Sequence, residues 1–187
     1  NEKTLEFDDL DHEINVVQLS DVHFGSVRHK QIIKQISDKL KELESTCDIA
    51  IISGDLTDGS SIVLEDDLDY FRKVDMPIVF TPGNHDFYMG ISNVIKACKH
   101  AGIIVLDNDN YEYENLNIYG LTYSFEDIET PAPEEIKEKI NPDKINIINS
   151  HFELFNCFGG LPGDVDYFKY RDYILDGREN SWAKDKY

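Results

Sequence analysis

The sequence predicts an α/β fold built on a parallel sheet, and three observations carry that prediction. Short runs of apolar, β-branched residues recur along the first hundred positions. Longer segments with helical spacing separate them. The polar clusters Asp21-Val22-His23, Gly54-Asp55-Leu56-Thr57-Asp58 and Gly83-Asn84-His85-Asp86 each follow the end of an apolar run. Strands alternating with helices make a parallel sheet with helices on both faces, and ligands gather at the C-terminal edge of such sheets.

Ile14–Leu19 reads as the first buried strand. Residues 28–45 carry Ile32, Ile33, Ile36, Leu40 and Leu43 at the spacing of one helix face. Asp48–Ser53 is the second strand, Leu64–Val74 a helix, and Pro77–Thr81 the third strand. Ile91–Ala101 is helical and stops at Gly102, the residue type that helix C-termini favour. Ile103–Leu106 is a fourth strand. Tyr111–Glu114 and Leu116–Leu121 read as a hairpin turning near Asn115. Pro131–Ile140 is a short helix and Ile145–Asn149 a further buried strand. Beyond His151, Phe152–Phe158 reads as a helical turn, Gly159–Gly163 as loop, and Tyr173–Leu175 as a last strand.

One domain is the expectation for 187 residues, with enough chain for a core. No apolar run approaches the roughly 20 residues of a membrane span, and no signal-peptide pattern appears. The chain opens on Asn1 rather than Met, which fits a processed or trimmed start. The formal charge of −19 comes with acid clusters at Glu65–Asp69, Glu126–Glu138 and Asp164–Asp185. A solvated surface is the simplest reading, and no basic track exists for an extended nucleic-acid partner. Cys47, Cys98 and Cys157 are scattered, without a C-x-x-C pair. They argue against a disulfide scaffold or structural zinc and suit a reducing compartment, so a cytoplasmic location is expected.

The strand-end residues carry the chemistry. Two residues apart in extended chain, Asp21 and His23 point to one side and converge on one ion. Gly54 permits a tight turn that projects Asp55 from the sheet edge, beside Asp21 if the strands are neighbours. Two adjacent carboxylates repel unless a cation or a proton joins them. Asn84 offers a hard, neutral oxygen, and His85 is free to face a substrate as a general acid. His151 follows a further strand in the same manner. Carboxylate, imidazole and amide oxygen together suit two divalent metals with a phosphate between them.

These motifs resemble the calcineurin-like metallophosphoesterase family, in its branch of small bacterial and archaeal phosphoesterases. Its D-x-H, G-D-x-x-D and G-N-H-D strings stand here in order, with Gly83–Tyr88 reading Gly-Asn-His-Asp-Phe-Tyr. The match is strongest over residues 14–151. The resemblance implies a four-layer α/β/β/α sandwich and two divalent ions, Mn, Fe, Zn or Mg; the absence of the family's last two imidazoles favours Mn, which accepts oxygen and water more readily than Zn. It implies that Asp21 and His23 bind the first ion, Asp55 bridges, and Asn84 and His151 bind the second. His85 would protonate the leaving oxygen and Asp58 would orient His85. The implied reaction is hydrolysis of a phosphomonoester or phosphodiester by a metal-bridging hydroxide. The other reading is a binding or scaffold protein on the same fold with weakened metal sites.

The family's last motif, G-H-x-H, has no counterpart, because no histidine follows His151. Gly177-Arg178-Glu179-Asn180 stands near its place. Three readings remain open: a truncated or altered end with an incomplete second sheet; replacement of the histidines by Arg178, Glu179 and Asn180, with Glu179 as an oxygen ligand and Arg178 as a phosphate clamp; or missing ligands that come from a partner chain or are not needed. Residues 159–187 are atypical on any of them. Phe87, Tyr88, Phe152 and Phe155 are expected to pack, the other role being an apolar site for a nucleoside or lipid group. The substrate's identity and any homo-oligomer stay open.

Overall fold

The computed structural model describes residues 3–7, 10, 12–26, 30–122, 133–151 and 174–176. Its first half alternates strand and helix: β1 (Val16–Leu19), α1 (Lys30–Leu43), β2 (Ile49–Ser53), β3 (Ile78–Thr81), α2 (Ile91–His100) and β4 (Ile104–Val105). The four strands form one parallel sheet in the order β1-β2-β3-β4. The second half contributes β5 (Asp109–Tyr113), β6 (Leu116–Leu121), α3 (Pro133–Lys139), β7 (Ile145–Ser150) and β8 (Ile174–Asp176). They build a second sheet, β5-β6-β7-β8, antiparallel at the β5–β6 hairpin and parallel beyond it.

The period-two alternation of side chains separates the layers. In β2 and β3, Ala50, Ile52, Ile78 and Phe80 pack with Ile33 and Leu40 of α1 and Val94 and Ala97 of α2. Ile49, Ile51 and Val79 point the other way and meet Leu116, Ile118, Ile145 and Ile147 of the second sheet. Tyr119, Leu121 and Ile148, on the far face of that sheet, cluster with Ile136 of α3. The result is α/β/β/α. Helices on both faces of the first sheet, the expectation from alternation alone, are not observed among the described residues. Helices cover one face and the second sheet covers the other, since the chain after β4 continues into strands whose apolar residues Leu116, Ile118, Ile145 and Ile147 pack on that face.

Elsewhere the predicted elements stand within a few residues of their expected bounds, and two local differences have physical causes. The helix predicted for Leu64–Val74 reduces to a single 3-10 turn, Asp69–Lys73. Asp67 instead accepts the main-chain N–H of Leu64 at 2.7 Å, a local bond that competes with helix, and pairs with Lys30 at 2.8 Å. A 3-10 turn over Asn84–Phe87 forms where turn residues alone were expected. Cys98 is fully buried and Cys47 half-buried, both in apolar packing. Cys157, the Phe152–Phe158 turn, Phe152, Phe155, the Gly159–Gly163 loop and Arg178, Glu179 and Asn180 lie outside the described residues.

Candidate metal centre

The C-terminal ends of β1, β2, β3 and β7 deliver the polar motifs to one place. Past Leu19 and Ser53 the chain stays paired in irregular form. The Asp21 N–H donates to the Gly54 carbonyl at 3.3 Å, His23 to Asp55 at 3.0 Å and Phe24 to Leu56 at 2.9 Å, and Asp58 donates back to Phe24 at 2.8 Å. This zipper sets Asp21 beside Asp55. Asp21, His23 and Asp55 all adopt left-handed backbone, with φ of 54°, 49° and 49°. Non-glycine residues avoid that region, and such strain collects where the surroundings impose it for a purpose. Asp21 and His23 therefore converge through left-handed turns and not through the extended backbone expected from the sequence. Their side chains meet with His23 Nε2 3.6 Å from Asp21 Oδ1.

Asp55 is the hub and is almost wholly buried. Its Oδ1 accepts the main-chain N–H of His85 at 3.0 Å. Its Oδ2 lies 3.1 Å from His151 Nε2, 3.9 Å from His23 Nε2 and 3.9 Å from His85 Nε2. Burial pushes the Asp55 carboxyl up, but the His151 imidazole and the His85 N–H outweigh it and hold it below its usual value. Burial likewise pulls His151 down, and its bond to Asp55 outweighs that and raises it. Gly54, at φ 75°, passes so close to His151 that an added Cβ would stand 2.4 Å from the histidine's own Cβ.

Each inner histidine is fixed through its other ring nitrogen. His151 Nδ1 lies 3.0 Å from the Ser53 carbonyl, and His85 Nδ1 lies 3.0 Å from the Asp58 carbonyl. A carbonyl can only accept, so Nδ1 carries the proton and Nε2 is presented to the centre. The link from residue 58 to His85 is thus made by the main chain. The Asp58 carboxylate accepts the N–H of Ser60 at 2.8 Å. Asn84, at the start of the 3-10 turn, donates its amide Nδ2 to the Tyr88 hydroxyl at 3.0 Å.

The donor atoms form two overlapping sets, each within 4.8 Å: Asp21, Asp55 and His151, and His23, Asp55 and His85. Asp55 is common to both sets. The grouping differs from the one the family motifs imply, since Asp21 sits with His151 and His85 stands next to His23. The fit to a divalent cation rests on donor chemistry. A buried imidazole and a buried carboxylate at 3.1 Å, with the imidazole oriented by a carbonyl, can share a cation between the atoms that otherwise share a proton.

Asp86 supports the centre and had no role in the sequence reading. It is buried, and its Oδ1 accepts Thr57 N–H at 2.8 Å and Thr57 Oγ1–H at 2.9 Å. Its Oδ2 accepts the Gly83 N–H at 2.9 Å. The turn carrying Asp55 is thereby tied to the turn carrying Asn84 and His85. Its spacing from Gly83, that of the acid in a capping box, was the available signal. Burial drives its carboxyl up to about 6 despite those three bonds.

Comparison with known proteins now bears on this geometry. The profile of the calcineurin-like phosphoesterase family matches residues 14–185. The chain belongs to that family. An uncharacterized metallophosphoesterase of Helicobacter pylori is 26% identical over 162 residues, covering 80% of this chain and 41% of the relative. One from Campylobacter jejuni is 28% identical over 156 residues, covering 79% and 40%. The chain spans about two fifths of the length of these relatives. Among solved structures, that of Pseudomonas putida nuclease MPE aligns over 58% of each chain, with a TM-score of 0.36 and 18% identity. The family match continues past His151, through the stretch that the motifs alone left atypical. Metallophosphoesterases bind divalent metals, and the candidate ligands here are those of the two sets around Asp55. No helix among the described residues is long and apolar enough to cross a membrane.

Proposed function

We propose that the chain hydrolyses a phosphomonoester or phosphodiester with the help of two divalent cations held by Asp21, His23, Asp55, Asn84 and His151. The observation that supports this best is the buried Asp55 carboxylate, reached by three imidazoles from three different elements. Divalent cations at such a centre neutralise phosphoryl oxygens and lower the pKa of a water that attacks phosphorus. Mn is the favoured ion, since the set mixes imidazole with oxygen donors. His85 is the general acid. The Asp58 carbonyl holds its Nδ1–H, so it is the doubly protonated imidazolium that hands its Nε2 proton to the departing alkoxide and is left as the neutral Nδ1–H tautomer. Asp86 keeps the His85 turn in place through the Gly83 N–H.

Two measurements test the reading. Chelator-stripped protein reloaded with Mn should take up metal, and Asp55→Asn should sharply reduce that uptake. Equal uptake by the variant would remove Asp55 from the bridging role. With Mn present, His85→Ala should slow esters with poor leaving groups by on the order of 10²–10⁴-fold, and those with good leaving groups far less. The same loss on both would take the acid role away from His85.

A further inference from the structure

We propose that Tyr88 is an aromatic platform on the leaving-group side of the centre, and that the ester's leaving alcohol is itself aromatic. The inference rests on the reading of His85 as the general acid. Tyr88 is 56% exposed, so packing, the role expected for it, does not account for its position. An exposed side chain ordinarily keeps its rotamer freedom, and this one is held from three directions. Its hydroxyl accepts from the Asn84 amide at 3.0 Å, one helical turn back in sequence. Its ring lies against the His85 ring, with centroids 4.9 Å apart and planes tilted by 50°. Gly59, at φ 66°, lies beneath it, so close that an added Cβ would be 2.7 Å from the ring's Cδ2. A ring ordered in this way offers its remaining surface without further loss of entropy.

Position then selects the ligand. The leaving oxygen must come within about 3 Å of His85 Nε2 to receive a proton. The Tyr88 ring centroid lies 4.9 Å from that of His85, so an aromatic group one or two bonds beyond that oxygen can come within the roughly 4.5–7 Å centroid range at which rings stack or meet edge to face. A saturated group of equal bulk would bury similar area but lack the ring–ring term, which corresponds to about two- to tenfold in affinity.

The test compares leaving alcohols of similar basicity and bulk. Methyl benzyl phosphate and methyl cyclohexylmethyl phosphate would be turned over by the Mn-loaded 187-residue chain, by Tyr88→Phe and by Tyr88→Ala. The benzyl ester should be favoured in kcat/KM by about two- to tenfold in the wild type and in Tyr88→Phe, and the ratio should fall to near one in Tyr88→Ala. Binding of benzylphosphonate and cyclohexylmethylphosphonate, measured by calorimetry on the same Mn-loaded proteins, should give the same pattern without turnover. If neither ester is hydrolysed while benzylphosphonate keeps its Tyr88-dependent advantage, the hydrolase reading fails and the platform stands. Equal binding of the two phosphonates by the wild type, no binding of either, or an advantage that survives in Tyr88→Ala would overturn the platform.

Discussion

At Asp86 the chain keeps a buried carboxylate that costs stability at neutral pH, and the cost can be measured. Its folded pKa is about 6 against an ordinary value of 3.8. The folded state therefore holds this proton more tightly than the unfolded chain, and the group's contribution falls as pH rises from about 3.8 to about 6. The full penalty above that window is about 3 kcal/mol, and about 2 kcal/mol of it is relieved by pH 4.5. Asp86→Asn removes the titration but turns an amide N–H toward the Gly83 N–H. In chelated protein, denaturant unfolding should show wild type gaining about 2 kcal/mol on Asp86→Asn between pH 7.5 and pH 4.5. A pH-independent gap between the two would mean that the folded Asp86 carboxyl titrates as it does in the unfolded chain, solvated and without the burial penalty. The candidate site residues could be named from the sequence because each motif joins unlike donors at a strand end. The backbone strain at Asp21, His23 and Asp55 was not, since left-handed φ at Asp or His leaves no mark in composition. Nor was the main-chain role of residue 58, because a carbonyl contact depends on the path of the loop and on no side-chain identity.

Among the elements, the strands were the easiest to read and the contacts between them the hardest. Runs such as Ile49–Ser53 and Ile145–Ser150 declare themselves by apolarity, and both are buried throughout. What joins them is polar. Asn149 of β7 accepts from Ser53 Oγ at 2.6 Å, and its Nδ2 donates to Thr81 Oγ1 at 2.8 Å and to the Ile52 carbonyl at 3.3 Å. Gln18 of β1 donates to the same Ser53 hydroxyl at 2.9 Å. Four strands from two sheets are thus pinned one or two residues before the turns that carry Asp21, Asp55, Asn84 and His151. A satisfied network in dry surroundings fixes register, and removing one member strands the others. Asn149→Ala should cost about 2–4 kcal/mol, within the range for breaking a buried polar network. It should also weaken Mn binding more than Ile33→Val does, at a matched distance from each variant's melting point. If Mn affinity follows melting temperature alike for both, the network has a role in folding alone. Asn149 was visible in the sequence as a polar residue in a mostly apolar run, but its partners lie 68 and 96 positions away and no local pattern links them.

Across the whole molecule, charge sets the background against which any metal acts. A net charge of −19 repels itself, and an acidic surface attracts every cation without choosing among them. Sodium chloride should therefore raise the melting temperature of the metal-free protein by screening alone, with most of the gain complete by about 0.15 M, where the Debye length is near 8 Å. A cation that enters the Asp55 centre adds a separate term, because it binds the folded state and finds no such site in the unfolded chain. At a free Mn concentration a hundred times its Kd, that term is about 2.7 kcal/mol. For a chain of this size it amounts to a rise on the order of 5–10 °C. Melting curves taken in MnCl2 and in NaCl at equal ionic strength separate the two effects. The wild type should gain that extra rise in MnCl2, and Asp55→Asn should lose it while keeping its response to NaCl. Equal shifts in the two salts would assign the Mn effect to the acidic surface and leave the Asp55 centre without a specific cation.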